Sequence, residues 1–293
     1  MIKRTIEISE GPTYLCVEDG QLLLKREGQE VARIPCEDVG MLLIDNRATT
    51  YSHAALTRLV GHGAVVILCG ENHLPTGMIL PVEGNDLLCQ RLRSQVQAPL
   101  PLGKQLWRQI IREKIRGQAR NLAEGHAVRG SLMTMRDEVC SGDPTNCEGQ
   151  AARCYWTALL GDDFRRNPDG LPPNGVLNYG YMVMRAAVAR AICAAGLHPA
   201  LGLHHHNRSN AFCLADDLVE VLRPRVDAVV IKLLRQEGGG FVDKPAKKAL
   251  LELLVQEVTV GGQSGPLMGG LHRMVSSLVR CYEGEQKELD FPE

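Results

Sequence analysis

The chain has 293 residues, 44% of them hydrophobic and 23% charged, and its 33 basic and 34 acidic side chains leave a formal net charge of −1. That length supports a large core spread over two domains, and the near-neutral balance excludes a general attraction to nucleic acid, so any such binding has to come from a local asymmetry of charge. No apolar run approaches the roughly 20 residues of a membrane span, and Met1-Ile2-Lys3-Arg4 leads straight into strand-like alternation without a signal-peptide core, so an intracellular protein is expected. Ten scattered cysteines with no Cys-x-x-Cys pair suit reduced thiols. Among them Cys140, Cys147 and Cys154, seven residues apart, read as a buried stripe of small apolar groups rather than zinc ligands.

The first 82 residues are strand-rich. Thr5–Ile8, Tyr14–Val17, Gln21–Leu24, Val31–Ile34, Met41–Ile44 and Val65–Leu68 have strand composition, Glu18-Asp19-Gly20 is a hairpin turn, and Ser52 to Val60 fits a short helix. A small β domain follows from this pattern. Its three histidines, His53, His62 and His73, are isolated and take no role.

Residues 83–103 contain Glu83-Gly84-Asn85-Asp86 and Ala98-Pro99-Leu100-Pro101 and read as a linker. From Lys104 a long helix is predicted, with Leu106, Trp107, Ile110, Ile111 and Ile115 on its apolar face. Lys104, Arg108, Arg112, Arg116 and Arg120 recur every fourth residue along one ridge, and between Arg91 and Arg136 ten basic residues face two acidic ones, an excess of +8. A solvated helix face is the ordinary fate of such charges. The shortage of acidic partners at helical spacing favours a surface that follows a phosphate backbone.

The next helix opens at Asp143-Pro144-Thr145-Asn146-Cys147-Glu148, and Ala151, Ala152, Tyr155, Trp156 and Leu159 place Glu148 on the buried face. A carboxylate there needs a hydrogen bond or a cation. Thr145-x-x-Glu148 also satisfies the capping-box pattern, which on this segment alone is the better explanation. After a Pro/Gly-rich loop (167–175), a helix runs from about Val176 to Ala195 and ends at Gly196. The polar loop Gly202-Leu203-His204-His205-His206-Asn207 then leads into a helix that carries Asp216, Asp217 and Glu220 and that Pro224 stops. Asp217 and Glu220, three apart, share a face, repel one another without a cation, and can converge on one ion with an imidazole from the loop. Beyond these, Gln236 to Phe241 reads as a turn, Pro245–Glu257 and Pro266–Tyr282 as helices, and Glu283 to Glu293 as a polar tail that binds a partner or is disordered.

Four stretches together carry a resemblance: Glu148-Gly149-x-Ala151-Ala152-x-x-Tyr155-Trp156; Leu177-Asn178-Tyr179-Gly180-Tyr181; Ala195-Gly196-Leu197-x-Pro199-x-Leu201-Gly202-Leu203-His204-His205; and Asp217-Leu218-x-Glu220-x-x-Arg223-Pro224. The chain resembles the CRISPR-associated endonucleases of the Cas1 family, which integrate new spacers, in a type II-like lineage. What the resemblance implies is an α+β protein: an N-terminal β-sandwich-like domain (1–82), a linker (83–103) and a larger all-α catalytic domain (104–293). It further implies a homodimer that works with the partner protein Cas2 on double-stranded DNA, both the captured fragment and the repeat array. The family's metal-binding Glu, His and acidic residue fall on Glu148, His205 and Glu220, with Asp217 one turn earlier. His204, His206 and Asp216 flank these positions and leave a shift of one residue open. Val221-Leu222 stands where relatives often have Pro-Phe, a departure that touches helix packing more than chemistry.

A mixed carboxylate and imidazole set suits Mg²⁺ or Mn²⁺, which assist attack of a 3′-hydroxyl, or of water, on a phosphodiester. Lys104, Arg108, Arg112, Arg116 and Arg120 are then the expected DNA-binding residues. Two other readings remain: a small-molecule metallohydrolase, which has no use for the +8 segment, and a non-catalytic DNA scaffold, which has no use for the ligands.

Overall fold

Short apolar and β-branched runs build the first eighty residues into two four-stranded sheets in the computed structural model, which describes residues 3–82, 85–167, 169–235 and 240–293. The strands are β1 (Arg4–Ile8), β2 (Tyr14–Glu18), β3 (Gln21–Arg26), β4 (Gln29–Pro35), β5 (Val39–Ile44), β6 (Thr50–Tyr51), β7 (Val65–Cys69) and β8 (Pro75–Ile79), with helix α1 (His53–Gly61) before β7. One sheet has the order β4-β3-β2-β6 and the other β1-β5-β7-β8, in which β1, β5 and β7 run parallel and β8 antiparallel. Ser52 caps α1, its side chain accepting from the Ala55 amide.

Strand β5 is buried along its whole length because both of its faces are covered. Leu42 and Ile44 enter the core of the β domain with Ile8, Leu15 and Leu22, whereas Met41 and Leu43 point the other way, into a larger core with Trp107, Ile110 and Tyr179. The period of two along one strand thus joins the sheets to the helices.

The helical part comprises α2 (Leu88–Gln97), α3 (Leu100–Arg120), α4 (Ala127–Glu138), α5 (Cys147–Leu160), α6 (Asn174–Ala194), α7 (Cys213–Val219), α8 (Arg223–Leu234), α9 (Lys244–Glu252) and α10 (Leu267–Tyr282), with a hairpin of β9 (Glu257–Val260) and β10 (Gln263–Pro266) before α10. Helix α6 runs through the middle of this part, its Ala186, Ala187, Ala189 and Ala191 all buried.

Several expectations are corrected here. The stretch read as a linker, 83–103, contains α2, tied down by Gln95 Nε2, which donates to the carbonyls of His198 and Leu201, and α3 begins at Leu100 because prolines are tolerated in a first helical turn. Pro224 opens α8 rather than stopping the preceding helix, which already ends at Val219. The helix expected to reach Glu257 stops at Glu252. The β-branched Val258-Thr259-Val260 then pair with Gln263–Gly265 across Gly261 and Gly262, whose positive φ values of 58° and 75° close the turn. The Glu283–Glu293 tail is docked: Leu289 is buried, Glu293 and Thr259 exchange backbone hydrogen bonds, and Arg280 pairs with Asp290 at 2.9 Å. Cys140 is exposed in the loop after α4, Cys147 is buried and Cys154 is half-buried, so the three do not form one stripe. Of the turn expected at Gln236 to Phe241, the residues Gln236–Gly239 lie outside the described residues. No described helix is long and apolar enough to cross a membrane.

A candidate metal centre beside a cationic cavity

Glu148 enters the site because other residues cap its helix. Asn146, at the N-cap of α5 with φ 54°, accepts from the Gly149 amide at 3.1 Å, and the Asp143 carboxylate accepts from the amides of Cys147 and Glu148 at 2.9 Å each. The capping box expected at Thr145 and Glu148 is therefore not formed. The first-turn donors are satisfied without Glu148, whose carboxylate turns to a partner on α3 instead.

That partner is Lys114. Its buried ammonium donates to Glu148 Oε1 at 2.6 Å and forms an ion pair with Glu220 Oε2 at 2.5 Å, while Arg223 Nε donates to Glu220 Oε1 at 2.8 Å. Burial alone would raise the Glu220 carboxyl, but the charges of Arg223 and Lys114 hold it down at about 2. Burial likewise works against the Lys114 charge, and the two carboxylates more than offset it, leaving its pKa raised. Lys114 was counted in the sequence only as one more member of the basic segment. The signal that separates it is its spacing: it lies four residues after Ile110 and four before Gln118, on the buried face of α3.

On the imidazole side, the fully buried carboxylate of Asp217 collects four donors. Its Oδ2 accepts from the amides of Leu203 at 2.6 Å and His204 at 3.0 Å, and its Oδ1 from the amide of His205 at 3.2 Å. The fourth contact is His205 Nδ1, 2.6 Å from Oδ1. This overturns the expectation that Asp217 and Glu220 converge on one ion: Asp217 folds the histidine loop around itself, Asp216 pairs with Arg185 at 2.7 Å, and Glu220 faces Lys114. The carboxylates that share a helix face in the sequence separate because each finds its own cation or donor. Gly202 fits this loop, since a Cβ there would collide with the His205 carbonyl and approach Asp217 Oδ2 to 2.9 Å.

The three histidines divide by environment. His204 stacks on Trp107 with ring centroids 4.2 Å apart and an interplanar angle of 2°, and burial lowers its pKa. His205 meets Trp107 edge-on, and its hydrogen bond to Asp217 raises its pKa. With Nδ1–H donated to an acceptor-only carboxylate, Nε2 of His205 is left as the ligand nitrogen. His206 is exposed.

Among the described residues no three His, Cys, Asp or Glu side chains stand close enough together to hold a metal ion in this conformation. The donor chemistry nevertheless fits a hard divalent cation. Glu148 and Glu220 already converge on one cation, the Lys114 ammonium, and Glu220 Oε2 is buried without a hydrogen bond, held by the ion pair alone. His205 feels the charges of both glutamates.

Lys114, Glu148 and Glu220 line a cavity of about 810 Å³ together with Arg166, Arg223, Trp156 and Tyr181. Asp227, which also lines it, accepts from the hydroxyls of Tyr181 at 2.5 Å and Tyr155 at 3.1 Å, and burial pushes its carboxyl up to about 7. None of this second group was singled out as functional from the sequence.

The expected DNA-binding ridge is largely engaged within the chain. Arg108 Nε donates to the Val139 carbonyl at 3.1 Å and Arg112 to the Asp137 carbonyl at 2.7 Å, both at the carbonyl end of α4, and Arg116 pairs with Glu113 and Glu293. Only Lys104 and Arg120 of the five are exposed. Helical spacing put these cations on one ridge. Tertiary packing then laid α4 and the tail along it.

The family profile for CRISPR associated protein Cas1 matches residues 6–252. The chain is 38% identical to the CRISPR-associated endonuclease Cas1 of Neisseria meningitidis serogroup C, an alignment that covers 100% of this chain and 97% of the relative. Solved structures that share the fold include a casposase bound to integration product, with a TM-score of 0.78 and 19% identity over 99% of this chain and 92% of the other, and a Cas6-RT-Cas1–Cas2 complex, with a TM-score of 0.75 and 16% identity over 97% of this chain and 35% of the other. With a full-length relative and a profile match over most of its length, the chain belongs to the Cas1 family of CRISPR-associated proteins.

Proposed function

We propose that the chain is a metal-dependent DNA endonuclease and integrase that inserts new spacers into a CRISPR array, by attack of a 3′-hydroxyl on a repeat phosphodiester. One observation carries the reading: in a Cas1-family chain, a carboxylate from the first turn of α5 and one from just beyond α7 converge on a single cation at the wall of a cavity that four arginines also line.

Glu148, Glu220 and Nε2 of His205 are the ligands for Mg²⁺ or Mn²⁺ in this reading. When bound, the ion supplies Lewis acidity toward the phosphodiester and the attacking hydroxyl. Asp217 acts one step back, fixing the tautomer and direction of His205. Arg223 holds Glu220 ionised and oriented, and Lys114 keeps the two glutamates together. The arginines of the cavity attract the phosphate backbone, so binding falls steeply with salt and depends little on the sequence of the captured strand. Double-stranded DNA, a homodimer and Cas2 complete the working assembly, and the Cas1–Cas2 complex among the fold relatives supports that partnership. The division into a β-rich domain to residue 82 and a catalytic domain from about residue 104 belongs to the same reading.

The test is strand transfer into repeat DNA with Cas2 and Mn²⁺. Glu148→Ala and His205→Ala are expected to lose at least ~10³-fold in rate, with DNA binding nearly unchanged. Transfer at the wild-type rate by either variant sinks the assignment. Wild-type protein that binds DNA without joining strands is a scaffold, and one that cleaves only small phosphoesters is a metallohydrolase.

A further inference from the structure

Arg166 stands out among the cations of the cavity because it is half-buried without an ion pair: Arg153 and Arg165, which also line the cavity with no ion pair among the described residues, are exposed, and Lys114 and Arg223 are paired with glutamates. It follows α5 in a loop, is half-buried, and donates from NH1 to Asn174 Oδ1 at 2.9 Å and from NH2 to Asn178 Oδ1 at 2.6 Å. Its guanidinium lies 5.2 Å from the centre of the Tyr181 ring, whose centre is also 4.5 Å from the Arg223 guanidinium. Arg223 is paired with Glu220. Among the described residues Arg166 has no carboxylate within ion-pair distance; burial lowers its pKa and the like charge of Arg223 adds to this, while Tyr181 and the more distant Asp227 only partly oppose it. A cation this dry, fixed by two neutral amide oxygens and a ring, is oriented but not neutralised.

The cavity supplies the missing half. Arg166 lines it together with Glu148 and Glu220, so an anion on Arg166 sits beside the candidate metal ligands without competing for them. Trp156 and Phe164, with ring centroids 5.3 Å apart, line the same space and offer apolar planes to a base, which suits a nucleotide unit better than a free anion. We propose that Arg166, set in place by Asn174 and Asn178, binds a non-scissile phosphodiester of the reacting strand, within a nucleotide or two of the bond that is attacked. It is a positioning residue: it holds the strand so that the scissile phosphate faces Glu148 and Glu220. The inference rests on the integrase reading given above.

The experiment scans branched DNA in which one phosphate at a time, on either side of the scissile one, is replaced by an uncharged methylphosphonate. Affinity and strand-transfer rate are measured for the wild type, Arg166→Ala and Arg166→Lys with Mn²⁺. One neutralised position is expected to weaken wild-type binding about tenfold, Arg166→Ala to weaken binding of unmodified DNA by a similar factor, and the two losses not to add. Arg166→Lys should keep part of the affinity and the sensitivity to that same position. The slope of log affinity against log salt should fall by about one in Arg166→Ala.

Four results overturn the proposal: a wild type with no sensitive position, an Arg166→Ala variant as sensitive as the wild type, an Arg166→Lys variant sensitive at a different position, or inorganic phosphate displacing DNA at matched ionic strength. Because the scan is also run on the wild type and on Arg166→Lys, an unfolded Arg166→Ala does not decide the matter. A wild type that joins no strands with any DNA refutes the integrase reading instead, which is a separate outcome.

Discussion

Among the described residues two lysines are buried, each against two carboxylates, and their surroundings make them different devices. Lys247, on α9, pairs with Asp45 at the end of β5, lies 4.0 Å from Glu7 on β1 and has its ammonium 5.8 Å from the centre of the Tyr179 ring on α6. It ties the parallel sheet to the helices. Lys114 bridges Glu148 and Glu220 in equally dry surroundings, yet all three residues line an 810 Å³ cavity. A buried ion pair is thus weak evidence of a site by itself. What marks Lys114 is that its two glutamates face a cavity, so that in the proposed reading a metal ion reaches the carboxylates that Lys114 holds together.

The most severe test separates the two lysines directly. Lys247→Met is expected to destabilise the protein by ~3–5 kcal/mol, the cost of leaving a buried carboxylate unpaired, with no rescue by metal. Lys114→Met is expected to lose a comparable amount in EDTA but to recover about 2.7 kcal/mol with Mn²⁺ at a hundredfold excess over its dissociation constant. Thermal melts with and without Mn²⁺ read both, and equal metal responses of the two variants would abolish the distinction.

A second test is Asp217→Asn, which removes the charge that orients His205 and leaves one acceptor oxygen where the histidine loop uses two. Mn²⁺ affinity measured by calorimetry should fall ~10–100-fold. An unchanged affinity would mean that His205 does not contribute a ligand.

Asp227 gives a pH test of the ground beneath Lys114. Its folded pKa, about 7, lies above its ordinary value of 3.8, so between those limits the folded state binds more protons and stability falls as pH rises. Asp227→Asn should therefore gain on the wild type between pH 4 and pH 8, by roughly 2–4 kcal/mol. Urea midpoints at the two ends of that range decide it, and parallel curves would refute the raised pKa.

The smallest expected effect concerns how Glu148 is presented. Asn146→Ala should cost ~1 kcal/mol through loss of the α5 cap, whereas Thr145→Ala should stay within about 0.5 kcal/mol. The reverse order in chemical denaturation would restore the capping box and take Glu148 away from the cavity.

The legible parts of this protein were those carried by local periodicity. The short apolar runs of β5 and β7, the helix from Ser52, the helical pattern of α3 and the Gly196 stop of α6 are properties of neighbouring residues, and they emerge as read. The Cas1 resemblance located Glu148, His205 and Glu220 as residues, and the structure sets Glu148 and Glu220 on one cation and His205 within reach of their charges. What failed were inferences about partners. The five-cation ridge of α3 looked free because the carbonyl end of α4 and the carboxylate of Glu293 are remote in sequence, and Asp217 looked equivalent to Glu220 because helical spacing says nothing about the backbone amides of Leu203, His204 and His205.

By itself, then, the sequence determined most strands of the first half, the long helices α3 and α6 of the second, the acidic and imidazole chemistry available, and the family resemblance, but not α2 or the β9–β10 hairpin. The tertiary structure decided which charge meets which: Lys114 between two glutamates, Asp217 beneath a histidine loop, Arg166 with amides and no acid. The reason is physical. Periodicity depends on residues a few positions apart, whereas the balance of a buried charge depends on whatever side chains folding brings within about 4 Å of it, from anywhere in the chain.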